Sequence, residues 1–124
     1  MKRIAFIDLG SNSVRFVIYE ISKTGSYRLI YQEKNSVRLS ENMWGTQELT
    51  NEAMERSLRS LKAFVHMAEA MDVDTIKAVA TAAVRLAKNG DIFIKTVKER
   101  TGLELECIAG EEEARLGFLC VINT

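Results

Sequence analysis

The chain has 124 residues, 47% of them hydrophobic and 27% charged, which is enough apolar material for one domain with its own core and argues against disorder. Seventeen basic residues balance seventeen acidic ones, so no overall field draws the chain to a nucleic-acid duplex or an anionic membrane, and any anionic ligand must be caught locally. The apolar run Ile4-Ala5-Phe6-Ile7 is too short for a signal-peptide core or a membrane span, which makes a cytoplasmic protein the expectation.

In chain order, Ile4-Ala5-Phe6-Ile7 reads as a central strand covered on both faces, with Asp8 at its C-terminal end. After Gly10-Ser11-Asn12-Ser13, residues 14–21 are rich in β-branched and aromatic side chains, and Lys23-Thr24-Gly25-Ser26 turns them into a third strand over 27–31. An antiparallel meander is expected. From Thr50 the period changes. Met54, Leu58, Leu61, Val65 and Ala68 recur at steps of four and three, with Phe64 and Met71 widening the stripe, so a long amphipathic helix is predicted with Thr50 as its N-cap.

Residues 75–80 read as a strand, and residues 82–88 as a short helix stopped by Asn89-Gly90. Asp91 is placed to cap a further helix over 92–100, which Thr101-Gly102 ends; residues 103–108 alternate as a last strand. A final helix from Glu111 to about Ile122 reaches the chain end without a cap, which predicts that the parent protein continues beyond Thr124. The order gives a mixed sheet with helices packed on it, an α/β domain spanning 1–124. Cys107 and Cys120 sit among apolar neighbours and form no Cys-x-x-Cys pair, so both are read as buried thiols; Trp44 is read as a packing residue and His66 as a surface residue.

Three groups of residues carry chemistry. In the first loop, Gly10 is followed by Ser11, Asn12 and Ser13, so backbone amides and small polar side chains can converge on one anion, although such a hairpin is also an ordinary strand connection. Asp8, ending a buried strand, calls for a pairing partner or a cation, and Mg²⁺ beside bound phosphates would be one. In Gly110-Glu111-Glu112-Glu113, the first two acids suit a helix start, whereas Glu113 falls at helical spacing from Leu116, Gly117 and Cys120, a partly buried side suited to a general base. Thr81, Arg85 and Asn89 follow at steps of four beyond a strand end, where Arg85 can clamp phosphate oxygens or merely face water.

Together, Ile7-Asp8-Leu9-Gly10-Ser11-Asn12-Ser13, the stretch from Val79-Ala80-Thr81 through Arg85 to Asn89, and Gly110-Glu111-Glu112-Glu113-Ala114-Arg115 resemble the exopolyphosphatase/guanosine pentaphosphate phosphohydrolase (Ppx/GppA) family. The resemblance implies a ribonuclease H-like fold of the actin, sugar kinase and heat-shock ATPase superfamily, with a mixed five-stranded sheet. It implies a hydrolase that releases terminal phosphate from inorganic polyphosphate or converts pppGpp to ppGpp with Mg²⁺, and a possible homodimer in the full-length protein. By motif, Asp8 matches the metal-associated aspartate, Gly10, Ser11, Asn12 and Ser13 the first phosphate loop, Glu113 the catalytic glutamate and Arg85 the cleft arginine. Val14 stands where phenylalanine is usual. The family's glycine-rich second phosphate loop should follow the third motif but lies beyond Thr124, so the fragment alone is expected to be inactive. The alternatives are a superfamily kinase for a small metabolite and a noncatalytic phosphate-binding or sensor module.

Overall fold

A computed structural model describes residues 1–108; the expected final helix, Glu113 with its acidic run, and Cys120 lie outside the described residues. Five strands form one sheet in the order β3-β2-β1-β4-β5. The first strand, β1 (Lys2–Leu9), lies in the middle, as its continuous apolar run requires, and Ile4, Ala5, Phe6, Ile7 and Leu9 are all buried. It pairs antiparallel with β2 (Ser13–Ile21), which pairs antiparallel with β3 (Tyr27–Ser36). On its other side β1 pairs parallel with β4 (Thr75–Ala80), and β4 pairs parallel with β5 (Leu105–Cys107).

The third strand runs five residues further than its apolar composition predicts, through Gln32 to Ser36. It is the outer strand of the sheet, where polar side chains remain in water while the backbone still pairs on one side. Ile18 faces Tyr31 and Tyr19 faces Leu29, so Ile30 is the extra residue of a bulge.

A helix α1 (Met43–Thr46), too short to show a period, precedes the long α2 (Asn51–Ala70). Left-handed Asn42 and Gln47 bound α1; Met43 is its buried residue, whereas Trp44 is 71% exposed and is not a packing residue. Helix α2 begins as predicted, with Thr50 Oγ1 accepting a hydrogen bond from the Ala53 amide at 3.2 Å. Its core stripe is rotated from the expected one: Ala53, Ser57, Leu58, Leu61, Phe64 and Ala68 are buried, with Met54 and Val65 at the margin, and His66 is exposed. The buried Ser57 hydroxyl donates to the Ala53 carbonyl at 3.0 Å. Phe64 stacks on Phe16 with ring centroids 4.7 Å apart, which locks α2 onto β2.

After β4, the helix α3 (Ala82–Leu86) ends earlier than expected, and α4 (Gly90–Thr101) starts at Gly90. Asn89-Gly90 therefore opens a helix rather than stopping one, and Asp91 lies in the first turn instead of capping it. The cause is a close approach: a Cβ on Gly90 would stand 2.1 Å from the Val84 carbonyl oxygen, so only glycine lets α4 start against α3. Gly102, with φ 81°, caps α4 as the sequence suggests. The last strand is confined to three residues, and Cys107 in it is exposed rather than buried.

Alternation along β1 divides the apolar residues between two faces. Ala5, Ile7 and Leu9 join the main core with α2 and α4, while Phe6 joins Val17 and Val79 in a smaller cluster on the opposite face. Asp8 shares the parity of Phe6 and belongs to that second face.

Candidate anion-binding site

The parallel strands β1 and β4 end side by side, and Thr81 continues the pairing by donating its amide to the Leu9 carbonyl at 3.1 Å. The carboxyl ends of adjacent parallel strands are where open α/β sheets place their ligands. A hollow of about 440 Å³ lies there, lined by Asp8, Gly10, Ser11, Asn12, Ser13, Arg15, Lys34 and Thr81.

The loop is closed at its base by Gly10, whose amide donates to the Ser13 carbonyl at 2.9 Å and so does not face a ligand. The loop carbonyls are held from behind: Asn12 oxygen accepts from the amides of Val37 at 3.0 Å and Arg38 at 2.9 Å, and Ser11 oxygen accepts from Ser40 at 3.0 Å. With those acceptors engaged, the amides of Ser11 and Asn12 donate to no group among the described residues. Two backbone donors and the hydroxyls of Ser11, Ser13 and Thr81 thus border one hollow.

Two cations missing from the sequence reading complete it. Arg15 is the cross-strand partner of Asp8 and also of Lys34, so Lys34, Arg15 and Asp8 form a row across β3, β2 and β1. Neither Arg15 nor Lys34 is in an ion pair among the described residues, whereas Arg3, Arg28, Arg38, Arg56, Lys77, Lys98 and Arg100 all are. Arg15 carried a usable signal: it stands between the buried residues Val14 and Phe16, hence on the open face, two residues past the loop. Lys34 carried none, because its approach depends on the pairing of a strand whose second half is polar.

The structure brings Asp8, Gly10, Ser11, Asn12, Ser13 and Thr81 together. It does not bring the whole stripe of Thr81, Arg85 and Asn89 to the hollow. Arg85 is exposed one turn beyond Thr81 and is absent from the lining. Asn89 is used elsewhere: its Oδ1 accepts from the Leu49 amide at 2.8 Å and its Nδ2 donates to the Leu49 carbonyl at 3.0 Å, fastening the start of α4 to the segment before α2. Glu113 lies outside the described residues.

The donors suit Mg²⁺. Asp8 Oδ1 is shielded from solvent beside hydroxyl and amide oxygens, a hard-oxygen set of the kind that Mg²⁺ combines with phosphate oxygens and water. Among the described residues no group of three or more His, Cys, Asp or Glu side chains is placed to form an all-protein cage. Among them also, no helix is long and apolar enough to cross a membrane.

A mixed sheet with an antiparallel meander, parallel strands beyond it and an anion-facing hairpin loop at their ends defines an α/β domain of the ribonuclease H-like, actin-type class. Residues 17–124 match the Ppx/GppA phosphatase family, and the chain belongs to it. The matched residues begin after the loop and include the second and third motifs. Among curated relatives, a guanosine-5'-triphosphate,3'-diphosphate pyrophosphatase of Pseudoalteromonas atlantica is 40% identical over 120 residues, covering 97% of this chain and 24% of that protein. The crystal structure of the Aquifex aeolicus Ppx/GppA family member superposes with a TM-score of 0.88 at 36% identity, over 97% of this chain and 39% of that one. An exopolyphosphatase from Cytophaga hutchinsonii gives a TM-score of 0.85 at 31% identity, over 93% of this chain and 36% of that one. The chain thus spans about a quarter of the length of the curated relative and less than two fifths of the solved ones.

Proposed function

We propose that the chain supplies the first half of the active site of a phosphohydrolase that cleaves phosphoanhydride bonds, with inorganic polyphosphate or pppGpp as substrate. One observation carries this reading: a loop held from behind through its Ser11 and Asn12 carbonyls has Ser11 and Asn12 amides that donate to no group among the described residues, beside the hollow shared by Arg15, Lys34 and Asp8. The activities by which two relatives are named, a pyrophosphatase for guanosine-5'-triphosphate,3'-diphosphate and an exopolyphosphatase, support the same substrate class.

In this proposal the loop amides and hydroxyls hold oxygens of the terminal phosphate, while Arg15 and Lys34 balance the charge of the adjoining one. Glu113 takes a proton from the attacking water as the water oxygen bonds to the terminal phosphorus. The anhydride P–O bond breaks, and its electron pair leaves on the oxygen of the shortened chain. Arg85, exposed one turn beyond Thr81 and outside the lining, would have to swing toward the hollow to steady the transferring group. Asp8 would hold Mg²⁺ with the phosphate oxygens, and the bound ion would neutralise charge that builds on the phosphate.

The test is phosphate release from polyphosphate and from pppGpp with Mg²⁺ present, measured on this chain and on a version extended to the length of its relatives. Release by the extended version, abolished by Glu113→Ala, is the expected outcome. Undiminished release from that variant removes Glu113 from the mechanism. Transfer of phosphate from ATP to a small metabolite, without hydrolysis of either substrate, would make the protein a kinase of the same superfamily instead.

A further inference from the structure

The loop carbonyls are tied to a short strap, residues 37–41, which runs behind the hairpin between β3 and α1. Val37 and Leu39 anchor the strap, being 1% and 0% exposed. Arg38 between them has φ 46°, a left-handed turn, and the Val37 and Arg38 amides both donate to the same Asn12 oxygen. Each amide that faces the loop leaves a carbonyl facing the other way. Arg56, on the flank of α2, takes the carbonyl opposite the Arg38 amide and the next one along: its Nε donates to the Val37 oxygen at 3.0 Å and its Nη2 to the Arg38 oxygen at 3.2 Å. The same Nη2 donates to Glu41 Oε2 at 2.6 Å, closing the strap at its far end.

We infer that Arg56 is a positioning residue for the anion loop, acting through the strap. Its guanidinium holds the carbonyl side of the Val37–Arg38 peptide group, whose amide side holds Asn12, and a planar fork reaches two carbonyls and a carboxylate from two separate nitrogens where an ammonium has only one. Holding the Ser11 and Asn12 carbonyls from behind fixes the loop whose Ser11 and Asn12 amides border the hollow, so the arginine steadies donors that it never touches. Arg56 lies outside the lining of the hollow. The inference rests on the reading that the loop binds phosphate, and its test separates the two.

Amide hydrogen exchange and ¹⁵N-detected titration with tripolyphosphate are measured on the 124-residue chain and on three variants. Wild type is expected to protect the Val37, Arg38 and Ser40 amides and to shift the Ser11 and Asn12 signals on titration. Arg56→Met should speed exchange of the strap amides roughly tenfold, the size expected on losing hydrogen bonds from a charged donor, and weaken tripolyphosphate several-fold, with the β1–β2 ladder unchanged. Arg56→Lys keeps the charge opposite Glu41 without the fork and should fall between; it also serves if the methionine variant fails to fold. Arg59→Met, one turn further along α2, should behave as wild type. Wild-type strap exchange or wild-type affinity in both Arg56 variants overturns the inference while leaving the anion loop standing. A wild-type chain that binds no tripolyphosphate overturns the phosphate reading itself, and the positioning role with it.

Discussion

Arg15 and Lys34 are direct cross-strand partners, two like charges set opposite each other on neighbouring strands and facing the same hollow as the Ser11 and Asn12 amides. Such a pair costs the sheet a few tenths of a kcal/mol when nothing lies between the charges. A bound phosphate reverses the sign of that arrangement.

Arg15→Gln and Lys34→Gln should therefore each weaken tripolyphosphate by roughly fivefold, about 1 kcal/mol, at low salt, with the difference shrinking as salt is raised. Neither should lower the denaturation midpoint, since relief of the repulsion offsets any lost packing. Calorimetric titration beside urea unfolding checks both halves. Undiminished affinity in both variants would take these cations out of the site.

Thr81 and Asn89, which the sequence puts on one stripe, should separate cleanly. Asn89→Ala removes both hydrogen bonds to Leu49 and strands the amide of a residue that is 3% exposed, at a cost of about 2 kcal/mol in urea unfolding, with tripolyphosphate affinity unchanged. Thr81→Val should do the reverse. Its hydroxyl meets the Leu9 oxygen only at 3.5 Å, so stability should stay within about 0.5 kcal/mol while affinity falls.

Glu20 provides the pH dependence. Hydrogen bonds from Arg28 at 2.8 Å and Arg3 at 3.2 Å hold its carboxyl below the usual carboxylate value. A depressed folded value means that the stabilisation is present above the unfolded carboxylate pKa and fades as pH falls through the lower folded one. The thermal midpoints of wild type and Glu20→Gln should thus differ at pH 7 and converge below about pH 4. An equal gap at both pH values would show that the carboxylate charge is not the cause.

What the sequence disclosed and what it withheld follow one physical line. β1, β4 and α2 were legible because each buries a continuous or periodic apolar set, and β4 has the predicted bounds. The second half of β3 was hidden because an outer strand needs no apolar face, and α1 because four residues make no period. Asn89-Gly90 carries ordinary helix-stop chemistry, yet the backbone of Val84 claims the glycine and Leu49 the asparagine. At the site, Asp8 and the loop were readable as a contiguous motif. Arg15 and Lys34 become neighbours only through strand register, and Arg56 reaches the loop only through hydrogen bonds from α2 to a segment 15 to 19 residues earlier.

The bulge at Ile30 has a consequence for the molecule in solution. β3 is an outer strand of the sheet, and a flat, uniformly paired strand in that position is a template for another chain. Here the extra residue breaks the even spacing of the border, and the exposed Arg28 and Lys34 stand on either side of the break. A second copy approaching edge to edge meets an irregular ladder flanked by charged side chains. The border that carries one of the hollow's cations therefore also discourages fibrous self-association.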